Sequence, residues 1–192
     1  MPKHKGITYF LVDMRSEGVD VRPLREITGD ARFNEVFLDD VFVPDDCVVG
    51  EAGDGWRLAR TTLANERVAM GSSLGESLER VLVSPAAADR PERLGELVAQ
   101  GLAVAALELR ASLRVLSGQE PGAESSVRKL AGVRQRQDVA EFAVELLGSD
   151  ASANNELVHE FLLTRCLSIA GGTTQVLMNL AGERILGLPR ES

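Results

Sequence analysis

The chain has 192 residues, of which 44% are hydrophobic and 26% charged, a composition typical of soluble globular proteins. Its net charge of -8, from 21 basic and 29 acidic side chains, argues against nucleic acid as a partner, because phosphate contacts require clustered basic residues. No uninterrupted apolar run reaches about 18 residues and no apolar signal segment opens the chain, so we expect a cytoplasmic protein without membrane insertion.

Nearly all of the strand signals lie before Gly50. Runs rich in β-branched and aromatic residues occupy 7–12, 19–23, 33–38 and 41–44, with turn-forming residues between them. Short runs separated by such turns favour an antiparallel arrangement. Because four short strands with open edges make a poor independent domain, we expect the chain to begin inside a domain.

After Gly50 the apolar residues recur with a helical period. The first predicted helix opens at Asp54 and runs through Leu74 to Val81. The others are predicted from about Leu94 to Leu116, from about Ser125 to Leu147, from about Asn155 to Leu163, and from the turn at 171–174 through Ile185. The sequence therefore predicts a mainly α fold: an up-and-down bundle of the four-helix type, at 51–192, preceded by a few antiparallel strands at 1–50.

The turn Gly171-Gly172-Thr173-Thr174 is the clearest candidate binding feature. It places unused backbone N–H groups and two hydroxyl groups at a helix N-terminus, which favours an anionic or acceptor-rich ligand. The ordinary alternative is that Thr173 caps the helix after a glycine pair and binds nothing. Both interpretations remain open from the residues alone.

Three segments together resemble the acyl-CoA dehydrogenase family. Residues 33–44, FNEVFLDDVFVP, are similar to the last strand of the family's β-domain and its exit proline. GDGWR at 53–57, followed by Asn65-Glu66-Arg67, is similar to the first helix of the C-terminal bundle. IAGGTTQ at 169–175, with AGERILGLP at 181–189, is similar to the end of that bundle. In this order the segments cover essentially the whole chain.

The resemblance implies an architecture and an activity. Residues 1–50 would be the C-terminal portion of the middle β-domain, here truncated, and the N-terminal half of the enzyme would precede Met1. The family oxidises acyl-CoA thioesters to 2-enoyl-CoA with FAD as hydride acceptor, so the implied cofactor is FAD and the implied substrate an acyl-CoA. The implied partners are acyl-CoA dehydrogenase subunits in a homo- or hetero-oligomer, a dimer or tetramer, with electron-transfer flavoprotein as electron acceptor.

The family's catalytic base is a carboxylate, because the α-proton of a thioester is weakly acidic. In many members a Glu directly precedes the Gly-Thr of the last helix, but here that position is Gly171, which has no side chain. In members of the isovaleryl type the Glu comes from the first bundle helix and aligns with Glu66, our candidate base. Alternatively, Glu66 pairs with Arg60 or Arg67, or neither position is catalytic and the chain is a non-catalytic subunit.

The resemblance also implies cofactor contacts from Gly172, Thr173 and Gln175, and a role for Arg67 in the acyl pocket, although an interface salt bridge explains Arg67 equally well. Other parts of the flavin pattern are absent. Segment 84–89 lacks the Arg and aromatic-Gly step that reaches a diphosphate, and 147–150 replaces the Gly-Gly turn that binds adenine. The histidines and cysteines show no metal-ligand spacing, so no metal is expected.

Overall fold

The computed structural model describes residues 2–69, 76–119, 122–152 and 155–190, with side chains for all of these except 64–69 and 76–77. The chain divides into two compact units, Met1–Met70 and Gly71–Ser192. None of the helices in these described stretches combines the length and apolar character needed to cross a membrane. The predicted boundary after residue 50 remains a prediction.

The first unit contains two small antiparallel sheets. Their four strands are β1 Tyr9–Phe10, β2 Val19–Leu24, β3 Phe33–Leu38 and β4 Val48–Val49. Strand β1 pairs with β4, and β2 pairs with β3 in a register that places Val19 opposite Leu38. The predicted antiparallel arrangement is confirmed.

The run at 41–44, predicted as a strand, is not one. Phe42 is 82% exposed and Pro44 has no backbone N–H to donate to a neighbouring strand. A short 3-10 turn at Asp45–Cys47 follows, and the pairing with β1 is made instead by Val48–Val49. Residues 41–44 therefore have the propensity to form a strand but do not pair with one.

Strands β2 and β3 form a hairpin whose conformation requires glycine at its base. Gly18 has φ +86°, and a Cβ there would lie 2.1 Å from the carbonyl oxygen of Asp39, whose N–H donates to the Gly18 carbonyl. All six residues of β3 are exposed. The hairpin is therefore held by its backbone ladder and turns, with little burial.

Helix α1, Gly55–Ala69, completes the first unit and packs on β1. The Gly55 N–H donates to the Ile7 carbonyl at 2.8 Å, and a Cβ on Gly55 would lie 2.6 Å from that oxygen. About two turns further along α1, Tyr9 Oη lies 3.3 Å from Thr62 Oγ1. The predicted continuation of this helix through Leu74 lies outside the described residues.

The second unit is helical. Its helices are α2 Glu76–Leu82, α3 Pro91–Leu116, α4 Glu124–Leu147, α5 Glu156–Thr164 and α6 Thr174–Arg184. The last four were predicted to within about three residues at each end, because caps and breakers mark their ends. The predicted mainly α class with a few antiparallel strands is confirmed.

Helix α4 is the centre of this unit and contacts α2, α3, α5 and α6. Its Phe142 is fully buried in a core cluster with residues of α2, α3 and the turn between them. The members of that cluster are Val81, Ala87, Leu97, Val139, Phe142 and Ala143. The apolar periodicity of α4 predicts an inner face that includes Val127, Val139, Phe142 and Ala143. The last three are buried, whereas Val127 is exposed.

Helix α3 differs from α4 because its C-terminal two-thirds remains largely uncovered. Leu97 and Val104 are buried, but most of the apolar residues further along α3 are exposed. Leu102, Leu109, Leu113 and Leu116, which we call the α3 leucine stripe, are each between 54% and 83% exposed. The spacing of these leucines predicts an amphipathic helix, and within this chain their side of α3 is uncovered.

Candidate functional site

The turn before α6 is built on two glycines in the left-handed region. Gly171 has φ +63° and Gly172 has φ +107°. A Cβ on Gly172 would also lie 3.3 Å from Leu177 Cδ2, and Leu177 is buried. Both backbone conformation and space therefore favour glycine at position 172.

Thr173 is the N-cap of α6, the capping role that the sequence predicted for it. Its Oγ1 accepts a hydrogen bond from the Val176 N–H at 3.3 Å, and its carbonyl accepts from the Leu177 N–H at 3.0 Å. Gln175 lies in the first helical turn and is exposed, whereas Thr173 and Thr174 are half-buried. Capping fixes the direction of α6 and leaves the other N–H groups of the first turn outside the helix's own bonding pattern.

Lys129 of α4 holds this turn from one side, a contact that the sequence did not predict. Its Nζ donates to the carbonyl oxygen of Gly172 at 2.6 Å and also to the carbonyl oxygen of Ala170. The sequence carried no signal for this contact, because every residue has a backbone carbonyl. In the structure Lys129 is half-buried, one turn after the buried Ser126 of the same helix. A cation at such a position generally has an acceptor nearby.

The segment that leads into the turn is also fixed to α4. Gln137 Nε2 donates to the carbonyl of Thr164 at 2.9 Å, and Thr164 is fully buried. The Arg165 guanidinium lies 4.5 Å from the ring centre of Phe161 and donates to Thr164 Oγ1 at 3.1 Å. These contacts anchor the connection between α5 and α6 at several points, so the glycine turn starts from a defined position.

The predicted site residues fall in both units. Gly172, Thr173 and Gln175 lie together at the start of α6, in the second unit. Glu66 and Arg67 lie on α1, in the first unit, and their side chains are outside the described residues. Their assignment as base and substrate-binding residue stays a prediction.

Within the described residues no group of three or more His, Cys, Asp or Glu side chains could hold a metal ion. His4 stacks on Trp56 with ring centres 4.5 Å apart, which is a packing contact. Cys47 and Cys166 are both free thiols and half-buried. The turn before α6 is therefore the feature that best fits a ligand.

Comparison with known proteins identifies the family. Residues 53–186 match the family model described as "Acyl-CoA dehydrogenase, C-terminal domain", which is more than half of the chain. The chain belongs to the acyl-CoA dehydrogenase family.

Two curated acyl-CoA dehydrogenases of Mycobacterium tuberculosis illustrate the similarity. The chain is 57% identical to FadE34 over 195 residues, covering 98% of this chain and 27% of FadE34. It is 36% identical to IpdE1, covering 99% of this chain and 53% of IpdE1. The chain thus spans about a quarter of one relative and about half of the other.

Solved acyl-CoA dehydrogenase structures share the fold. A variant of the Tcur3481-Tcur3483 steroid ACAD superposes with a TM-score of 0.84 at 25% identity, covering all of this chain and 55% of that one. The ChsE4-ChsE5 complex from Mycobacterium tuberculosis gives a TM-score of 0.79 at 22% identity, covering all of this chain and 56% of that one. The second likeness concerns the fold alone.

Proposed function

We propose that this chain supplies the C-terminal part of an FAD-dependent acyl-CoA dehydrogenase. The reaction would convert an acyl-CoA thioester to the 2-enoyl-CoA, with the α-hydrogen leaving as a proton and the β-hydrogen as a hydride. In this division of the chain, residues 1–50 belong to the middle β-domain and 51–192 to the helical bundle. Membership of the family supports the reaction class.

The single observation that carries the cofactor assignment is the turn before α6. A left-handed glycine pair, the capped N-terminus of α6 and the hydroxyls of the half-buried residues Thr173 and Thr174 form a compact set of donors. Such a set suits the acceptor atoms of a flavin or of its ribityl and phosphate groups. In the proposal Gly172, Thr173 and Gln175 hold FAD, which would supply the hydride-accepting chemistry when bound.

We further propose Glu66 as the residue that takes the α-proton and Arg67 as a residue of the acyl pocket. Gly171 cannot take the proton because glycine has no side chain, so the carboxylate must come from another element. Glu66 lies on the last stretch of α1, the element implied by the isovaleryl-type resemblance. Its carboxylate would need to lie within hydrogen-bond reach of the α-carbon's proton.

The second candidate function is a non-catalytic subunit of a mixed oligomer. Gly171, in place of the usual Glu, favours it, and two solved relatives, the Tcur3481-Tcur3483 steroid ACAD and the ChsE4-ChsE5 complex, are named as pairs of components. The α3 leucine stripe supports assembly with other acyl-CoA dehydrogenase subunits in either case, because large exposed apolar patches mark interaction surfaces. We also propose electron-transfer flavoprotein as the electron acceptor and a cytoplasmic location.

The test begins with the visible absorption spectrum of the purified chain, with and without added FAD. A flavin band that acyl-CoA bleaches under anaerobic conditions supports the dehydrogenase. The acyl-CoA panel should include straight-chain, branched and steroid-bearing thioesters, the last because one structural relative is named a steroid ACAD. A chain that binds no FAD, even when co-purified with its partner subunits, contradicts the first proposal and favours the structural subunit.

A further inference from the structure

The two carbonyls bound by Lys129 determine where the neighbouring N–H groups point. In a planar trans peptide, the C=O of one residue and the N–H of the next point in opposite directions. Lys129 Nζ binds the carbonyls of Ala170 and Gly172, so the N–H groups of Gly171 and Thr173 point away from Lys129. One side chain therefore orients two backbone donors.

We infer that Lys129 is a positioning residue, which fixes the turn before α6 so that its backbone donors face the bound cofactor. The inference rests on the proposed function, since it takes FAD as the ligand of the turn. Lys129 itself acts through the turn: its ammonium group binds the carbonyl side of the two peptides, and the ligand would meet their N–H side.

A lysine at this position can offset the entropy cost of fixing the flexible pair Gly171-Gly172. A Gly-Gly pair has many accessible backbone conformations, and fixing each residue costs conformational entropy. An ammonium group that binds two carbonyls makes charge-assisted hydrogen bonds, which are stronger than neutral ones. Lys129 can thus select the conformation with φ +63° at Gly171 and φ +107° at Gly172 before any ligand arrives.

Helix α4 provides the rigidity that such positioning requires. The same helix carries Val139 and Phe142, both buried in the core, and it contacts α6 directly. Gln137 and Arg136 of α4 bind the α5 region at Thr164 and Glu160. A group that positions a ligand-binding turn is effective when it stands on a well-packed element.

The test compares three variants of the chain, each purified through a tag from its native host so that partner subunits and flavin are retained. Lys129→Met removes the charge and keeps most of the length, Lys129→Arg keeps a cationic donor, and Arg128→Met removes a charge from the adjacent position. We expect Lys129→Met to weaken FAD binding about tenfold or more and to shift the flavin absorption maxima. Lys129→Arg should restore part of the affinity, and Arg128→Met should behave as wild type.

A second readout separates the outcomes. Hydrogen exchange of the amides of 171–176, measured without FAD, should accelerate in Lys129→Met but not in Arg128→Met. Unchanged FAD affinity in Lys129→Met overturns the inference and leaves the proposed function standing. If the wild-type assembly binds no FAD, the proposed function fails, and unchanged exchange in Lys129→Met then overturns the positioning role as well.

Discussion

Arg136 of α4 donates two hydrogen bonds to one carboxylate oxygen of Glu160 on α5, from Nε at 3.0 Å and from Nη2 at 2.7 Å. Both side chains are largely shielded from water, at 16% and 23% exposure. The pair therefore joins two helices of the second unit through a charge contact at which screening by water is reduced.

Replacing Arg136 with Met should lower the free energy of unfolding of the second unit by about 1–3 kcal/mol, because the shielded carboxylate of Glu160 loses two charge-assisted hydrogen bonds. The matched control is Arg80→Met, which breaks the exposed pair with Glu156, at 57% and 85% exposure, and should cost about 0–1 kcal/mol. Urea denaturation followed by circular dichroism measures both. Equal losses in the two variants would show that the Arg136 pair is no stronger than a surface contact.

Phe142→Ala should destabilise the second unit by about 3–5 kcal/mol, since it removes a fully buried aromatic side chain from the core cluster and leaves a cavity. Leu102→Ala, on the exposed α3 leucine stripe, is the control and should change the free energy of unfolding by less than about 1 kcal/mol in the isolated chain. The measurement is again urea denaturation. A small effect at Phe142 would contradict the packing described for α4.

Gly172→Ala should disturb the turn before α6 more than an ordinary left-handed glycine substitution. The alanine would have to keep φ +107°, and its Cβ would lie 3.3 Å from Leu177 Cδ2. Backbone strain and side-chain crowding therefore add, and together cost about 1–3 kcal/mol of stability. Gly118 has φ +74°, and a Cβ there would meet no atom within 4 Å. Gly118→Ala therefore serves as the control for backbone strain without crowding. Thermal unfolding and FAD titration of both variants test the difference, and a larger loss in Gly118→Ala would refute it.

Glu66→Gln should abolish most of the dehydrogenation if Glu66 takes the α-proton. Loss of a positioned base lowers the rate by about 100- to 10,000-fold, while FAD binding should be unaffected. The control Glu79→Gln changes an exposed carboxylate of α2 and should retain full activity. Rapid-reaction absorbance of flavin reduction by acyl-CoA separates chemistry from binding. Retained reduction in Glu66→Gln would exclude this base.

The long helices could be predicted because their signals are local. Pro91 opens α3, Gly148 closes α4, and the side chains of Asn155 and Thr173 cap α5 and α6. Each of these residues acts on backbone groups within a few positions of itself, so the sequence contains the whole interaction. Element type and bounds were therefore accurate in this part of the chain.

Contacts between distant residues could not be predicted in the same way. The carbonyls that Lys129 binds lie 41 and 43 positions further along the chain, and every residue has a carbonyl, so no spacing marks the contact. The failed strand at 41–44 has the same cause, since strand propensity does not specify whether a partner strand is within reach. The site could be predicted at its glycine turn and not at the lysine that holds it.

The central place of α4 has a consequence for synthesis on the ribosome. Helices α2 and α3 emerge first, but the large buried side chains that cover Val81 and Leu97 come from α4, at Val139 and Phe142. Until residue 147 has left the exit tunnel, those earlier helices have little to pack against, and their apolar residues stay accessible to chaperones and to other nascent chains. The core shared by α2, α3 and α4 should therefore form late and nearly all at once, when α4 arrives, and α5 and α6 can pack on α4 only after that.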